Sequence, residues 1–388
     1  MKKLLLKKGK ERALYNRHPW IFSGAVKDLP NSENGEIVQI FDYQQQLLGY
    51  GFFSPKNQIV CRVFEFTSYP ITIDKQYWFH KIQRAFGLRK QLIDFQTTNC
   101  FRLLHAEGDF FPGVIADVYN QTVVLQILIR GTELILESIV EALLKLGFQY
   151  IYLKTKDVSH SIEKIQTDSG WIGNIGTTII EVKENNIVFK VDIAEGQKTG
   201  FFLDQRDARR LVKEYAFGKT VLNAFSYTGG FSAYALCGGA VLVHSVDSSK
   251  AAIQLAKENM LLNGFSAHEA FCEDVFDFLK QTHHQYDMII LDPPAFAKTA
   301  KAVSNAARGY KELNLKAFQK IKSGGIVATF SCSQKIDKEL FRKIVFAAAA
   351  DARRNVRILH QTTQPPDHPI NIFHPENEYL KGLFLYVE

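Results

Sequence analysis

A chain of 388 residues exceeds the size at which one hydrophobic core stops growing, so two or three domains are expected. Its 46% hydrophobic content is ordinary for a globular protein, no stretch approaches the ~20 apolar residues of a membrane span, and the three leucines of MKKLLLKK are too short a run for a signal peptide. A net charge of +7 favours a polyanionic partner, and five cysteines without a CxxC pair or zinc-ligand spacing indicate no metal site and a reducing, cytoplasmic compartment.

Lys2, Lys3, Lys7, Lys8, Lys10, Arg12, Arg17 and Lys27 crowd the N-terminal stretch, with Trp20 and Phe22 interleaved. Such a run either neutralises phosphates and stacks bases or is a solvated basic terminus. GEIVQIFDY, QQLLGYGFF and NQIVCRVFEF then read as short strands of a small β-rich domain, with Gly49 and Gly51 permitting bends, over 1–68. A second, α+β domain is expected over 69–193. It opens on a helix with Trp78, Ile82 and Phe86 at helical spacing. TNCFRLLHAEGDFFPGVIADVYNQTVVLQIL gives two strands around a loop, TELILESIVEALLKLGF one amphipathic helix, and GTTIIEVKENNIVFKVDI two closing strands.

From residue 194 to 388 strand and helix alternate regularly: KTVLNAF, GGFSAYALCGG, AVLVHSVD, a helix closed by Gly264, HEAFCED, VFDFLKQT, YDMIILD, LNLKAFQKIKSGG, GIVATFSCS and ELFRKIVFAAAADA. The alternation predicts a parallel, doubly wound Rossmann-like sheet, so the chain as a whole is α/β. NVRILHQTT and GLFLYVE close it as a strand pair.

The turn after the first strand of this domain, with Phe225, Ser226, Thr228 and Gly229, lacks the G-x-G-x-x-G spacing of a dinucleotide site. Asp247 with Ser248 follows the second strand, Asp274 with Val275 the third, and Asp292 the fourth. An acid suits ribose hydroxyls and another an adenine amino group, so the order fits S-adenosylmethionine, which has no phosphate to cradle. The bland alternative for Asp247 and Asp274 is helix capping.

YDMIILDPPAFAK and GIVATFSCS place Asp292 and Cys332 at the ends of successive strands, where open parallel sheets bind ligands. DPP followed by an aromatic accompanies amino-group methylation of bases, but here Ala295 precedes Phe296. A thiol beside the acid points instead to carbon methylation of a pyrimidine, with Cys332 adding to C6 and Asp292 at N3. That chemistry needs a single-stranded or flipped base, with Phe296 as a stacking wall, Pro293 and Pro294 stiffening the loop and Lys298 beside it. Cys332 otherwise reads as a small buried residue, as do Cys61, Cys100, Cys237 and Cys272, which sit in apolar patterns.

HPWIFSGAV, GDFFPGVIADVY, DIAEGQKTGFFLDQRDAR, VLNAFSYTGGFSAYA, DPPAFAK, TFSCS and PPDHPINIFHPENEYLKG together resemble the bacterial large-subunit (23S) rRNA cytosine-5 methyltransferases of the RlmI type, over essentially the whole chain. The resemblance implies an N-terminal PUA domain, a central strand-strand-helix-strand-strand domain and a C-terminal class I methyltransferase using S-adenosylmethionine, with Cys332 as nucleophile. It further implies that Gln197, Lys198, Asp204, Gln205 and Arg206 lie over the cofactor and target pocket, Gln205 among the cofactor contacts, and that His368, Glu378, Tyr379 and Lys381 face the active site. Without it, the first group is a polar linker and the second a surface loop. Arg12, Arg17, His18 and Trp20 then become candidates for reading ribosomal RNA. A homodimer, a base amino methyltransferase and a non-catalytic ribosome assembly factor stay open at this level.

Overall fold

The computed structural model describes residues 1–155, 163, 165–296 and 303–388. They divide into two units: Met1–Val182 with Val191–Phe201 and Pro366–Asn377, and Lys183–Lys190 with Phe202–Pro365 and Glu378–Glu388. Among the described residues no helix is long and apolar enough to cross a membrane.

The first unit begins with β1 (Lys2–Leu6), α1 (Arg12–Tyr15), β2 (Trp20–Phe22), β3 (Val26–Asp28), β4 (Ile37–Phe41), β5 (Leu47–Phe53) and β6 (Ile59–Phe66). These strands form one sheet, ordered β2-β6-β5-β4-β1-β3. The lysine-rich start is thus a strand: Leu4 and Leu6 are fully buried while Lys3 and Leu5 alternate with them on the more exposed face, as a half-buried strand requires, and Lys2 is exposed at the strand's end. Gly49 and Gly51 serve close strand approach, since a Cβ would stand 2.1 Å from the Glu65 carbonyl at one and 2.4 Å from Cys61 Sγ at the other.

A second sheet follows α2 (Lys75–Leu92), which Asp74 caps by accepting from Tyr77 N at 2.8 Å. Its strands are β7 (Cys100–His105), β8 (Val114–Tyr119), β9 (Thr122–Ile127), then α3 (Arg130–Leu134), α4 (Leu136–Lys145), β10 (Tyr150–Leu153) and β11 (Gly170–Ile172), in the order β11-β10-β9-β8-β7. Two expectations fail here. Three strands replace two before α3, because Asn120 at φ 58° turns β8 tightly into β9. The single amphipathic helix is broken into α3 and α4 at Ile135, whose ψ of 13° leaves the helical region. The chain passes between units within the hairpin β12 (Ile179–Glu184) and β13 (Ile187–Asp192), turned by Asn185 and Asn186 at φ 50° and 65°.

The second unit runs α5 (Arg206–Tyr215), β14 (Thr220–Ala224), α6 (Gly230–Cys237), β15 (Leu242–Asp247), α7 (Lys250–Leu262), β16 (His268–Cys272), α8 (Val275–Gln281), β17 (Tyr286–Leu291), α9 (Val303–Lys320), β18 (Ile321–Ser331), α10 (Lys338–Asp351), β19 (Val356–Thr362) and β20 (Lys381–Val387). The sheet order is β16-β15-β14-β17-β18-β20-β19. It is Rossmann-like but not wholly parallel, because β20 runs antiparallel to both β18 and β19. Central β14 and β17 are near-continuous apolar runs, as strands covered on both faces must be. Strand order reverses between β14 and β17, so the loops leaving these two strands open onto the topological switch point.

The polar stretch read as a linker ends on Arg206, the first residue of α5. Its Arg209 is 2% exposed and grips Glu184 with two parallel bonds, Nε to Oε1 at 2.8 Å and Nη2 to Oε2 at 2.7 Å, while Tyr234 donates to the same carboxylate at 2.9 Å.

Candidate active site

The loop from β14 to α6 is built from backbone that side chains resist. Phe225, Tyr227 and Gly229 take φ of 60°, 46° and 82° within five positions, a concentration of left-handed residues that marks functional loops. Asp247, at the end of β15, holds the loop by accepting from Tyr227 N through Oδ2 and from Ser249 N through Oδ1, both at 2.9 Å. Each carboxylate oxygen retains acceptor capacity, so this role does not compete with receiving a hydroxyl. Gly229 owes its identity to α7: a Cβ there would stand 3.1 Å from Met260 Cε and 3.2 Å from Ala256 Cβ.

Asp274 caps α8 through Oδ1, accepting from Phe276 N at 2.8 Å and Asp277 N at 3.2 Å, and is exposed beside buried Val275. Ser248 is exposed at the start of the turn into α7. Around the same mouth, Ser226 Oγ, Thr228 Oγ1 and Gln205 Oε1 are buried and have no hydrogen-bond partner among the described residues. Buried polar atoms are normally satisfied, so three unsatisfied ones around one loop fit a polar ligand.

The fourth acid and the thiol leave neighbouring parallel strands. β17 and β18 pair with Leu291 opposite Thr329, which puts Asp292 and Cys332 beyond the same end of the sheet. Gln205 Nε2 donates to Asp292 Oδ1 at 2.9 Å and so fixes the carboxyl. Asp292 and Cys332 are half-buried, Pro293 is buried and Pro294 exposed. The Phe296 ring packs against Tyr310 of α9 at 4.7 Å between centroids, so in this conformation its face is engaged by protein. Lys298 lies outside the described residues.

Behind the thiol, Tyr310 and Ser333 hydroxyls are 3.1 Å apart, and Lys381 Nζ donates to the carbonyls of Ser333 and Tyr379, both at 2.7 Å. Burial pushes the Lys381 ammonium down to about 8, against an upward pull from the Cys332 thiolate and the Asp337 and Glu378 carboxylates. Tyr379 donates to Asp204 Oδ2 at 2.7 Å, and Glu378 pairs with Lys338. Arg206 begins α5 and is buried. Tyr310 escaped the sequence reading, because its helix was expected only from Leu313; its relevance depends on the α9 packing, for which no local signal exists.

The other expected residues belong to the first unit and are described within it. Gln197 and Lys198 lie in the turns after β13, Lys198 at φ 51°. His368 is buried, bonded to Asp367 at 3.1 Å and packed on His105 at 5.2 Å between rings. Arg12 and Arg17 are exposed, the latter with its guanidinium 5.9 Å from the Phe66 ring centre. Trp20 is not a free stacking platform: its Nε1 donates to Glu107 at 2.9 Å and its ring meets His374 at 4.3 Å. One group of potential metal donors occurs among the described residues, His18, His374 and Glu376, with ligand atoms within 4.8 Å. It is one donor short of a closed tetrahedral site, and His374 is already 2.8 Å from Glu376. Of the four cysteines assigned to cores, Cys61 and Cys100 are buried, but Cys237 and Cys272 are exposed, because each ends its element at the surface.

A Rossmann-like sheet with an acid ending β15, a loop after β14 without the dinucleotide glycine pattern and unsatisfied hydroxyls in that loop is the arrangement of a nucleoside-binding site at a topological switch point. The profile of the S-adenosylmethionine-dependent methyltransferase family matches residues 102–370, and that of a PUA-like domain residues 4–66. The large-subunit ribosomal RNA methyltransferase I of Alteromonas mediterranea is 40% identical over 98% of this chain and 97% of its own length, and that of Tolumonas auensis 42% over 97% of each. SMU.776, solved in complex with SAH, superposes over 100% of both chains with a TM-score of 0.86 at 26% identity. The chain therefore belongs to the S-adenosylmethionine-dependent methyltransferases, in the group of the large-subunit ribosomal RNA methyltransferases I, and its cofactor is S-adenosylmethionine.

Proposed function

We propose that the chain methylates C5 of a cytosine in large-subunit ribosomal RNA through a covalent adduct on Cys332. The substrate class rests on the names of its full-length relatives, and is supported by the PUA-like match and the net charge of +7. One observation carries the chemistry: a carboxyl held by Gln205 and a half-buried thiol leave adjacent parallel strands at the sheet end where the cofactor loop opens.

C5 of cytosine is too weak a nucleophile to take a methyl group unaided. When bound, the cofactor supplies that methyl as an electrophile on a sulfonium. Gln205, Ser226, Thr228, Asp247 and Asp274 would hold it, and Phe225, Gly229, Ser248 and Val275 would shape its pocket. The Cys332 thiolate forms a bond to C6, which moves the C5–C6 π electrons toward C5 and makes that carbon reactive. Asp292, oriented by Gln205 and acting as the neutral acid, gives its proton to N3 as negative charge develops there. After transfer the C5 proton leaves to solvent and the N3 proton returns to Asp292, which restores the C5–C6 double bond and expels the thiolate. C6 is unreachable in a stacked helix, so the base must be single-stranded or flipped.

Nucleoside mass spectrometry of ribosomal RNA from cells lacking the gene, complemented with wild type or Cys332→Ala, tests this. Wild type restores 5-methylcytidine and the variant does not. A restored methylated purine, or full activity of the variant, overturns the proposal in favour of amino-group methylation through the DPPAF segment.

A further inference from the structure

Cys332 attacks as a thiolate, yet a free thiol has a pKa near 8.5 and needs a positive neighbour to ionise at neutral pH. We propose that Lys381 is a positioning residue whose buried ammonium holds Cys332 as thiolate, the thiol proton passing to the lysine amine to give an ammonium–thiolate pair. The catalytic meaning of this pair rests on the covalent reading above; its existence does not.

The placement follows from the sheet. Lys381 opens β20 directly opposite Ser331, the last residue of β18, so its side chain starts one residue from Cys332 across an antiparallel ladder. It is 4% exposed, and Nζ donates to Ser333 O and Tyr379 O at 2.7 Å. Both acceptors are neutral carbonyls, and one belongs to the residue after the cysteine. An ammonium has three donors, so these two bonds pin the nitrogen against the β18 end with a third N–H left to give.

A cation buried on neutral partners is costly, and an apolar side chain in the same ladder would be cheaper. The charged groups around Lys381 do not remove that cost by pairing. Glu378 is in an ion pair with Lys338; Asp337 caps α10 by accepting from Leu340 N at 2.7 Å; and Lys338 itself repels the ammonium. On the other side, the neutral Tyr310 hydroxyl is bonded to Ser333, and burial keeps it protonated. Cys332 lies between Ser331, the ladder partner of Lys381, and Ser333, whose carbonyl takes one of its N–H bonds, so a thiolate there would attract the ammonium. Electrostatic coupling is reciprocal, so a thiolate that stabilises the ammonium is stabilised by it.

The test is the pH dependence of Cys332 alkylation by iodoacetamide in the full chain, followed at peptide level, with exposed Cys237 as internal control. In wild type the Cys332 rate reaches half its plateau at or below the pH of Cys237. Lys381→Met and the more conservative Lys381→Gln raise that midpoint by about one unit, slowing Cys332 alkylation at pH 7 about tenfold without changing Cys237, and Lys381→Arg restores it. If either neutral variant that folds and binds SAH keeps the wild-type Cys332 profile, the proposal is overturned. No RNA enters this assay. Failure here leaves the covalent mechanism to be judged by adduct formation, while a lysine-dependent thiol without an RNA adduct would sink the mechanism and keep the pair.

Discussion

At the scale of single residues, the site rests on polar groups that have been taken out of water and bonded to one another. Beneath the β14 loop, Asn223 donates to Ser232 at 2.8 Å, Ser232 and Ser245 hydroxyls are 2.7 Å apart, and Ser245 reaches His268 Nε2 at 2.8 Å. Burial drives the His268 imidazole down to about 4, with Lys257 and His244 pushing the same way. An unfolded histidine titrates near 6.5. Between these values the unfolded chain binds a proton that the folded chain refuses. Stability is therefore complete above about pH 6.5 and falls as pH drops toward about 4, by on the order of 1–3 kcal/mol. Urea midpoints at pH 7.5 and 4.5 should diverge more in wild type than in His268→Gln; equal slopes would contradict the assignment.

At the scale of elements, the sequence showed what periodicity can show and missed what packing decides. β14, β15, β17 and β18 were legible because strands covered on both faces are written as apolar runs, and the acids at their ends followed from the sheet rule. β1 was not, because lysines disguise a strand whose alternate leucines are buried. The reversed direction of β20 and the helical α5 depend on long-range partners: seven paired positions on β18 for the one, Glu184 under Arg209 for the other. Lys381 and Tyr379 were reached only through family likeness, and Tyr310 by neither route. Gly229 shows the same limit. In the sequence it is only a glycine in a cofactor turn, whereas in the fold its missing Cβ lies against α7. Gly229→Ala must adopt φ 82° and push on Ala256 and Met260, so we expect a loss of about 1–3 kcal/mol in thermal or urea unfolding, with weaker SAH binding. Unchanged stability would show that the loop relaxes freely.

At the scale of the molecule, an excess of basic residues is carried on a chain whose relatives act on ribosomal RNA by name. Arg12 and Arg17 are exposed on the first unit, where phosphate contact would serve affinity without base choice. The double variant Arg12→Ala/Arg17→Ala should weaken binding about equally for different RNA fragments and reduce the salt dependence of log K by roughly one to two. An unaltered salt slope would place the RNA contact elsewhere.

The covalent mechanism turns on a bond between Cys332 and a pyrimidine. Wild-type protein incubated with S-adenosylmethionine and ribosomal RNA containing 5-azacytidine, digested and analysed by mass spectrometry, reads that bond directly, because 5-azacytidine has no C5 proton to release the enzyme. The expected result is a nucleotide adduct on the Cys332 peptide, absent in Cys332→Ala. Methylation of natural RNA by a protein that forms no such adduct would contradict it.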